Sequence, residues 1–178
     1  REVLDSRGRP TVSAMCKLRE GCAGSASVPS GASTGLAEAL ELRDGDPRRY
    51  RGLGCRKAVA NVNGEINDAV VNRPVASQCG LDRTLVDLDG TANKSRLGAN
   101  AILAVSLAFA RAVTAEVKTP LWQYFATLIG NTPTSLPRLT INLFSGGKHA
   151  GGQVAIQDVL VVPAVAKTID ESLSMTYD

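Results

Sequence analysis

The segment from Ala99 to Val117 constrains the fold most, because alanine and leucine dominate it and apolar residues occupy nearly every side of a helical projection. Such a helix is stable in water only when most of its surface is buried. Polar residues interrupt it too often for a membrane span; they are Asn100, Ser106, Arg111, Thr114 and Glu116. The sequence therefore predicts a buried central helix and no membrane span.

Three short segments before this helix have the pattern of strands. Glu2–Leu4, Thr11–Cys16 and Cys22–Val28 alternate polar and apolar residues, and Gly8 and Pro10 mark the turn between the first two. Short alternating runs separated by glycine and proline are typical of hairpins. We therefore predict an antiparallel three-stranded meander.

Helical spacing marks the segments around the strands and the central helix. Apolar residues recur three and four positions apart over Leu36–Leu42 and Arg56–Val71, which predicts two helices with one buried face. Thr119 is the predicted N-cap of another helix, with Pro120 at its first position.

The character of the chain changes after residue 133. Two apolar segments, Leu139–Phe144 and Ile156–Val162, predict buried strands, and Thr168–Glu171 forms a capping box that begins a helix. We therefore place one domain at residues 1–133 and the start of another at 134–178. Because two apolar strands need a covering layer, we expect more chain to follow.

Composition excludes several classes of protein. The net charge is +3, the basic residues are scattered, and only 4% of residues are aromatic, which argues against nucleic-acid binding. The four cysteines form no C-x-x-C pair, and the one histidine lies far from them in sequence, so neither a zinc site nor a disulfide framework is indicated. With no leader pattern, we expect a cytoplasmic protein.

Two glycine-containing loops could carry chemistry. Pro29–Gly35 offers three hydroxyls on a free backbone, suited to a hard cation or a phosphate; alternatively it is an ordinary loop in which Ser33 or Thr34 caps a helix. Ser145–Gly152 surrounds His149 with four glycines and could close over a ligand; alternatively it is a mobile surface loop with a solvated histidine.

A third candidate is the pair Gln157 and Asp158, within an apolar segment. A carboxylate inside such a strand needs a partner or a ligand, because burying an unpaired charge is costly. The alternative is a residue at the end of the strand that is exposed to water.

Several motifs together resemble those of the enolase family, in the family's order and over essentially the whole chain. They are Asp5–Val12 (D-S-R-G-R-P-T-V), Val28–Gly35 (V-P-S-G-A-S-T-G), Glu38–Asp44, Leu88–Thr91, Asn93–Ser95, Leu97–Leu103, His149–Gly151 and Gln157. The resemblance implies an α+β N-terminal domain followed by the beginning of an (α/β)8 TIM-like barrel. It also implies the Mg²⁺-dependent, reversible dehydration of 2-phosphoglycerate to phosphoenolpyruvate, a lyase reaction of glycolysis.

The resemblance assigns roles to individual residues. Ser33 would bind the second Mg²⁺, His149 would act in catalysis, and His149, Gln157 and Asp158 would line the substrate pocket. Asp158 stands where the family usually has Glu, which withdraws the carboxylate by about 1.5 Å, and Ser145 stands where it usually has Asn.

The same resemblance limits what this chain can do alone. The family's three carboxylate ligands for the tightly bound Mg²⁺, its proton donor and its lysine base have no counterpart in residues 1–178. We therefore expect the chain alone to be inactive. The family forms homodimers through the N-terminal domain, where Arg7 would lie at the interface. The alternative function is a non-catalytic binding role, as a plasminogen receptor or an assembly partner.

Overall fold

The computed structural model describes residues 1–31, 35, 37–71, 73–147 and 151–178. The chain forms two compact units, Arg1–Asn131 and Thr132–Asp178. In its described parts, the first unit contains a three-stranded sheet with helices, and the second contains two strands and one helix.

The sheet of the first unit is an antiparallel meander of β1 (Glu2–Leu4), β2 (Pro10–Lys17) and β3 (Ala23–Ser27), with β2 in the centre. Gly8 has a φ of +72° in the turn between β1 and β2, a left-handed conformation that glycine adopts without strain. The predicted meander is confirmed.

The described part of the first unit contains five α-helices. They are α1 (Arg56–Asn61), α2 (Asn67–Val70), α3 (Gln78–Asp89), α4 (Ala99–Glu116) and α5 (Leu121–Leu128). A π-helical turn at Val62–Ile66 joins α1 to α2, so the helical run predicted for 56–71 is confirmed. A short 3₁₀ helix, Tyr50–Gly52, precedes it.

The predicted central helix, α4, packs against β2 and β3 through a row of small side chains. Ala101, Ala104, Ala108 and Ala112 are fully buried. A Cβ atom on Gly24 of β3 would lie 2.2 Å from the backbone nitrogen of Ala112, so the strand and the helix touch backbone to backbone. By length and composition this helix could cross a membrane, and half of it is buried inside the first unit.

The helix predicted for Leu36–Leu42 is wrong over its described residues, because residues 38–42 have no regular structure. Their backbone groups bond to a distant part of the chain: the Leu40 N–H donates to the Asn93 carbonyl at 2.7 Å, and the Leu40 carbonyl accepts from the Ala99 N–H at 2.8 Å. Tertiary contacts therefore override the helical spacing.

The cap predicted at Thr119 is also wrong. Pro120 occupies the N-cap position of α5, whose first helical residue is Leu121, and the Thr119 hydroxyl donates to the Val117 carbonyl at 3.3 Å. Proline has no N–H of its own, so the N-cap residue adds no further donor to the unpaired N–H groups of the first helical turn.

The second unit contains an antiparallel pair, β4 (Ile141–Ser145) and β5 (Asp158–Val161), and the helix α6 (Ile169–Tyr177). Most residues of both strands are exposed, which differs from the buried strands that we predicted. The capping box is confirmed: the Thr168 hydroxyl accepts from the Glu171 N–H, and the Glu171 carboxylate accepts from the Thr168 N–H.

Candidate functional site

The clearest polar cluster of the second unit lies where β4 ends and β5 begins. Ser145, the last residue of β4, pairs with Asp158, the first residue of β5. The Ser145 hydroxyl donates to Oδ1 of Asp158 at 2.6 Å, and Nδ2 of Asn142 donates to the same oxygen at 3.2 Å. One carboxylate oxygen therefore accepts from two side chains of the opposite strand.

An irregularity in β4 brings Asn142 and Ser145 to the same carboxylate. Residues three apart point to opposite faces of a regular strand, but the register of β4 against β5 shifts between Asn142 and Phe144. The two side chains consequently meet, with Nδ2 of Asn142 2.6 Å from Oγ of Ser145. Alternation of polar and apolar residues does not reveal this shift, so sequence reasoning does not identify Asn142 as a site residue.

Gln157 and Asp158 lie together at the start of β5, and both are exposed. The interpretation of Asp158 as a carboxylate buried in an apolar strand is therefore wrong, and the alternative of a strand-end residue exposed to water is correct. The main-chain carbonyl of Gln157 accepts from the Gly146 N–H at 2.6 Å, which fixes Gln157 to the start of the glycine-rich loop.

The ends of the glycine-rich loop are tightly packed. A Cβ atom on Gly146 would lie 2.1 Å from the Ile156 carbonyl oxygen, so only glycine fits this position. The Gly147 N–H donates to the Val154 carbonyl, and the Gly152 N–H donates to the Gly147 carbonyl, both at 2.8 Å. His149 lies outside the described residues, but the backbone on either side of its segment is held together.

Carboxylates form hydrogen bonds with described residues of the other predicted loop, Pro29–Gly35. Oδ2 of Asp5 accepts from the Ser30 hydroxyl at 2.8 Å, and the Arg7 guanidinium donates to the Ser30 carbonyl. The backbone N–H of Arg9, followed by the Ser30 hydroxyl, holds the pKa of Asp5 well below its usual range. Asp5 therefore stays ionised throughout the physiological pH range.

Two glutamates also hold backbone N–H groups on either side of Ser33. The Gly31 N–H donates to Oε1 of Glu41 at 2.8 Å, and the Gly35 N–H donates to Oε2 of Glu38 at 2.6 Å. Glu41 also pairs with Arg43. Ser33 itself lies outside the described residues. Glu38 and Glu41 lie within the motif Glu38–Asp44, but sequence reasoning does not identify them as supports of the loop.

The described residues offer few grouped ligands for a Mg²⁺ ion. A tightly held Mg²⁺ needs octahedral oxygen coordination, usually with one or more carboxylates. Within residues 1–31, 35, 37–71, 73–147 and 151–178, no three His, Cys, Asp or Glu side chains are grouped closely enough to hold one metal ion. The Asp158 cluster supplies a single carboxylate, and the groups beside it donate hydrogen bonds to that carboxylate.

Two family models match the chain. Residues 1–125 match the model of the enolase N-terminal domain, and residues 133–178 match the model of the enolase C-terminal TIM barrel domain. The two matches leave out only residues 126–132. The predicted fold class, an α+β N-terminal domain followed by the start of a TIM-like barrel, is confirmed.

Proposed function

Because the chain belongs to the enolase family, whose domains indicate an enolase-like lyase, we propose that it takes part in the Mg²⁺-dependent, reversible dehydration of 2-phosphoglycerate to phosphoenolpyruvate. Abstraction of a weakly acidic proton beside a carboxylate requires stabilisation of the developing charge, which a divalent cation supplies in this superfamily. Its place in glycolysis and in the cytoplasm belongs to the same proposal.

The observation that best supports this proposal is the Asp158 cluster. Its carboxylate is held by Ser145 and Asn142 at the entrance of the glycine-rich loop, beside Gln157. These hydrogen bonds restrict the orientation of the Asp158 carboxylate, which favours a defined contact with a substrate group. We assign Gln157 and Asp158 to the substrate pocket, with His149 as a catalytic and substrate-binding residue.

We assign Ser33 to the second Mg²⁺. Support for this assignment comes from its neighbours: Asp5 and Arg7 hold Ser30 on one side of the loop, and Glu38 holds Gly35 on the other. Fixed ends reduce the conformational freedom that a ligand-binding loop loses when it orders.

We also propose that residues 1–178 alone do not catalyse the reaction. The described residues lack a cluster of acidic or histidine side chains that could hold one metal ion. The resemblance to the family also implies that its three carboxylate ligands for the tightly bound Mg²⁺, its proton donor and its lysine base have no counterpart in residues 1–178. The homodimer expected from the family, with Arg7 at its interface, belongs to the same proposal.

The test measures phosphoenolpyruvate formation from 2-phosphoglycerate with Mg²⁺ present. We expect no turnover by the 178-residue chain and measurable turnover when it is mixed with a separately produced enolase barrel that lacks an N-terminal domain. In that mixture, Ser33→Ala should abolish turnover, whereas Ser27→Ala, at an exposed position of β3, should not.

The outcomes separate the proposals. Turnover by the chain alone would show that the barrel is not required. A mixture that forms a complex by sedimentation but shows no turnover would contradict the catalytic proposal and favour the non-catalytic binding role.

A further inference from the structure

Residues 38–42 follow the Ser33 loop, and their main chain is fastened to a distant part of the first unit. The Leu40 N–H donates to the Asn93 carbonyl, and the Leu40 carbonyl accepts from the Ala99 N–H. Bonds to both polar groups of one residue fix the course of a segment that has no regular structure of its own. We refer to residues 38–42 as the frame segment.

The last residue of the frame segment, Leu42, is held by a buried side chain. Oδ1 of Asn100 accepts from its N–H, and Nδ2 of Asn100 donates to its carbonyl. Gly98 lies against the same place: a Cβ atom at this position would lie 2.5 Å from Cβ of Leu42 and 2.6 Å from Oδ1 of Asn100. Gly98 also has a φ of +97°, which glycine adopts without strain. The start of α4 therefore touches the frame segment closely and fixes its end.

Two glutamates of the frame segment reach back to the Ser33 loop. Oε1 of Glu41 accepts from the Gly31 N–H at 2.8 Å, and Oε2 of Glu38 accepts from the Gly35 N–H at 2.6 Å. Gly31 lies two residues before Ser33, and Gly35 lies two residues after it. The frame segment thus bonds the main chain on both sides of Ser33, which itself lies outside the described residues.

The carboxylate of Glu41 is oriented by a guanidinium that is itself anchored. Its second oxygen, Oε2, pairs with Nη2 of Arg43. Nη1 of Arg43 donates to the Pro10 carbonyl at 2.6 Å and to the Leu53 carbonyl at 2.9 Å. A guanidinium presents its donors in a rigid planar arrangement, so these bonds orient the carboxylate and direct Oε1 to the Gly31 N–H.

We propose that Asn100 is a positioning residue for Ser33 and acts through the frame segment. Asn100 fixes Leu42 at the end of the frame segment. The frame segment in turn carries Glu38 and Glu41, which hold the main chain on both sides of Ser33. This inference rests on the assignment of Ser33 to the second Mg²⁺. A loop whose ends are held loses less conformational freedom when its ligand binds, so loosening the frame segment weakens Mg²⁺ binding more than it slows the chemical step.

The first test measures hydrogen exchange of the Gly31 and Gly35 amides in the 178-residue chain by NMR. Asn100→Ala should speed the exchange of both amides about fivefold, the effect of losing about one net hydrogen bond. Glu41→Ala should speed the exchange of the Gly31 amide alone, because Glu38 still accepts from the Gly35 N–H.

Two controls separate this effect from a general loss of stability. Ser77→Ala removes the N-cap of α3, whose hydroxyl accepts from the Gly80 N–H at 3.1 Å, and should destabilise the same unit without removing a hydrogen bond of the frame segment. Glu65→Ala removes an ion pair with Arg96, as Glu41→Ala removes one with an arginine. Neither control should change the exchange of the two loop glycine amides.

The second test measures how turnover of the mixture with an enolase barrel depends on Mg²⁺ concentration. Asn100→Ala should raise the Mg²⁺ concentration at half-maximal rate about fivefold and leave kcat at saturating Mg²⁺ unchanged. A variant that only folds less completely would lower kcat at every Mg²⁺ concentration and leave the half-maximal concentration unchanged. Ser77→Ala should leave the half-maximal concentration at its parent value.

Unchanged exchange of both glycine amides in Asn100→Ala would overturn the proposal. Faster exchange together with a lower kcat and an unchanged Mg²⁺ requirement would also overturn it, since Asn100 would then act on stability alone. Absence of turnover by the parent mixture would contradict the proposed function and, with it, the role of Ser33 in Mg²⁺ binding. In that case the exchange measurement would still show whether Asn100 positions Gly31 and Gly35.

Discussion

The side chain of Asn100 hydrogen-bonds both backbone polar groups of Leu42. Its Oδ1 accepts from the Leu42 N–H at 3.1 Å, and its Nδ2 donates to the Leu42 carbonyl at 3.2 Å. Asn100 is 2% exposed, so water cannot replace these bonds. The first turn of α4 thus holds in place the extended segment that follows the Ser33 loop.

We expect Asn100→Ala to destabilise the first unit by about 1–3 kcal/mol, because both partly buried backbone groups of Leu42 would lose their partner. The free energy of unfolding from urea titration measures this. Asn61→Ala is the matched control, since its amide also donates to a backbone carbonyl, that of Leu97 at 2.9 Å, but Asn61 is only partly buried. Equal effects of the two substitutions would contradict our interpretation.

The contact between Asn100 and Leu42 also explains why the sequence misled us about residues 36–42. Local spacing favoured a helix there, but a residue far along the chain offers the backbone better partners, and no local pattern reveals such a competitor. In contrast, α3 could have been predicted. Ser77 caps it, Leu81 and Leu85 are buried one turn apart, and Gly90 ends it with a φ of +70°.

Prediction of the candidate site had a similar limit. The sequence identifies Gln157 and Asp158 as candidates, but it does not show what the Asp158 carboxylate contacts. The contact of Asp158 with Asn142 depends on the register shift in β4, which alternation of polar and apolar residues does not encode. The carboxylates that hold Ser30 and Gly31 were visible as residues but not as partners, because tertiary structure brings them to the loop.

We expect Gly24→Ala to destabilise the chain by about 3 kcal/mol or more, since the added methyl group would overlap backbone atoms of Ala108 and Ala112 and force β3 away from α4. Gly64→Ala is the control, because nothing lies within 4 Å of its added Cβ. Alanine is favoured over glycine inside a helix, so this variant should raise the free energy of unfolding by about 0.5–1 kcal/mol. Thermal unfolding of both variants measures the contrast. A Gly24→Ala variant as stable as the parent would show that β3 and α4 can separate easily.

Asp89 should make stability depend on pH. It is 2% exposed; burial by itself would raise its pKa, but hydrogen bonds from Thr91 and from the Leu97 N–H outweigh this and hold the pKa below its usual value. A lowered folded-state pKa stabilises the fold above the unfolded pKa of about 3.9, and this stabilisation disappears as the pH falls through the folded value.

Asp89→Asn should therefore cost about 2 kcal/mol near neutral pH, where the ionised carboxylate accepts its bonds, and less in acid. Urea titrations from neutral pH to acid give the profile. Asp89→Asn should therefore reduce the dependence of the free energy of unfolding on pH. Glu65→Gln removes an exposed ion pair with Arg96 and should reduce this dependence much less. If the cost of Asp89→Asn stays constant with pH, the carboxylate does not stabilise the fold through its charge.

The pair of Ser145 and Asp158 gives the last prediction, which concerns activity in the mixture with an enolase barrel. The resemblance to the family assigns Asn and Glu to these positions, whereas this chain has two shorter side chains joined by a 2.6 Å hydrogen bond. Asp158→Glu alone would carry the carboxylate past the Ser145 hydroxyl, and Ser145→Asn alone would crowd the shorter Asp. A displacement of about 1 Å can lower a rate about a hundredfold.

We therefore expect each single variant to lower kcat and the double variant to recover at least the parent rate. The kcat values of the four proteins form a double-mutant cycle. Additive effects would show that the two positions act independently, and the hydrogen bond between them would then have no part in placing Asp158.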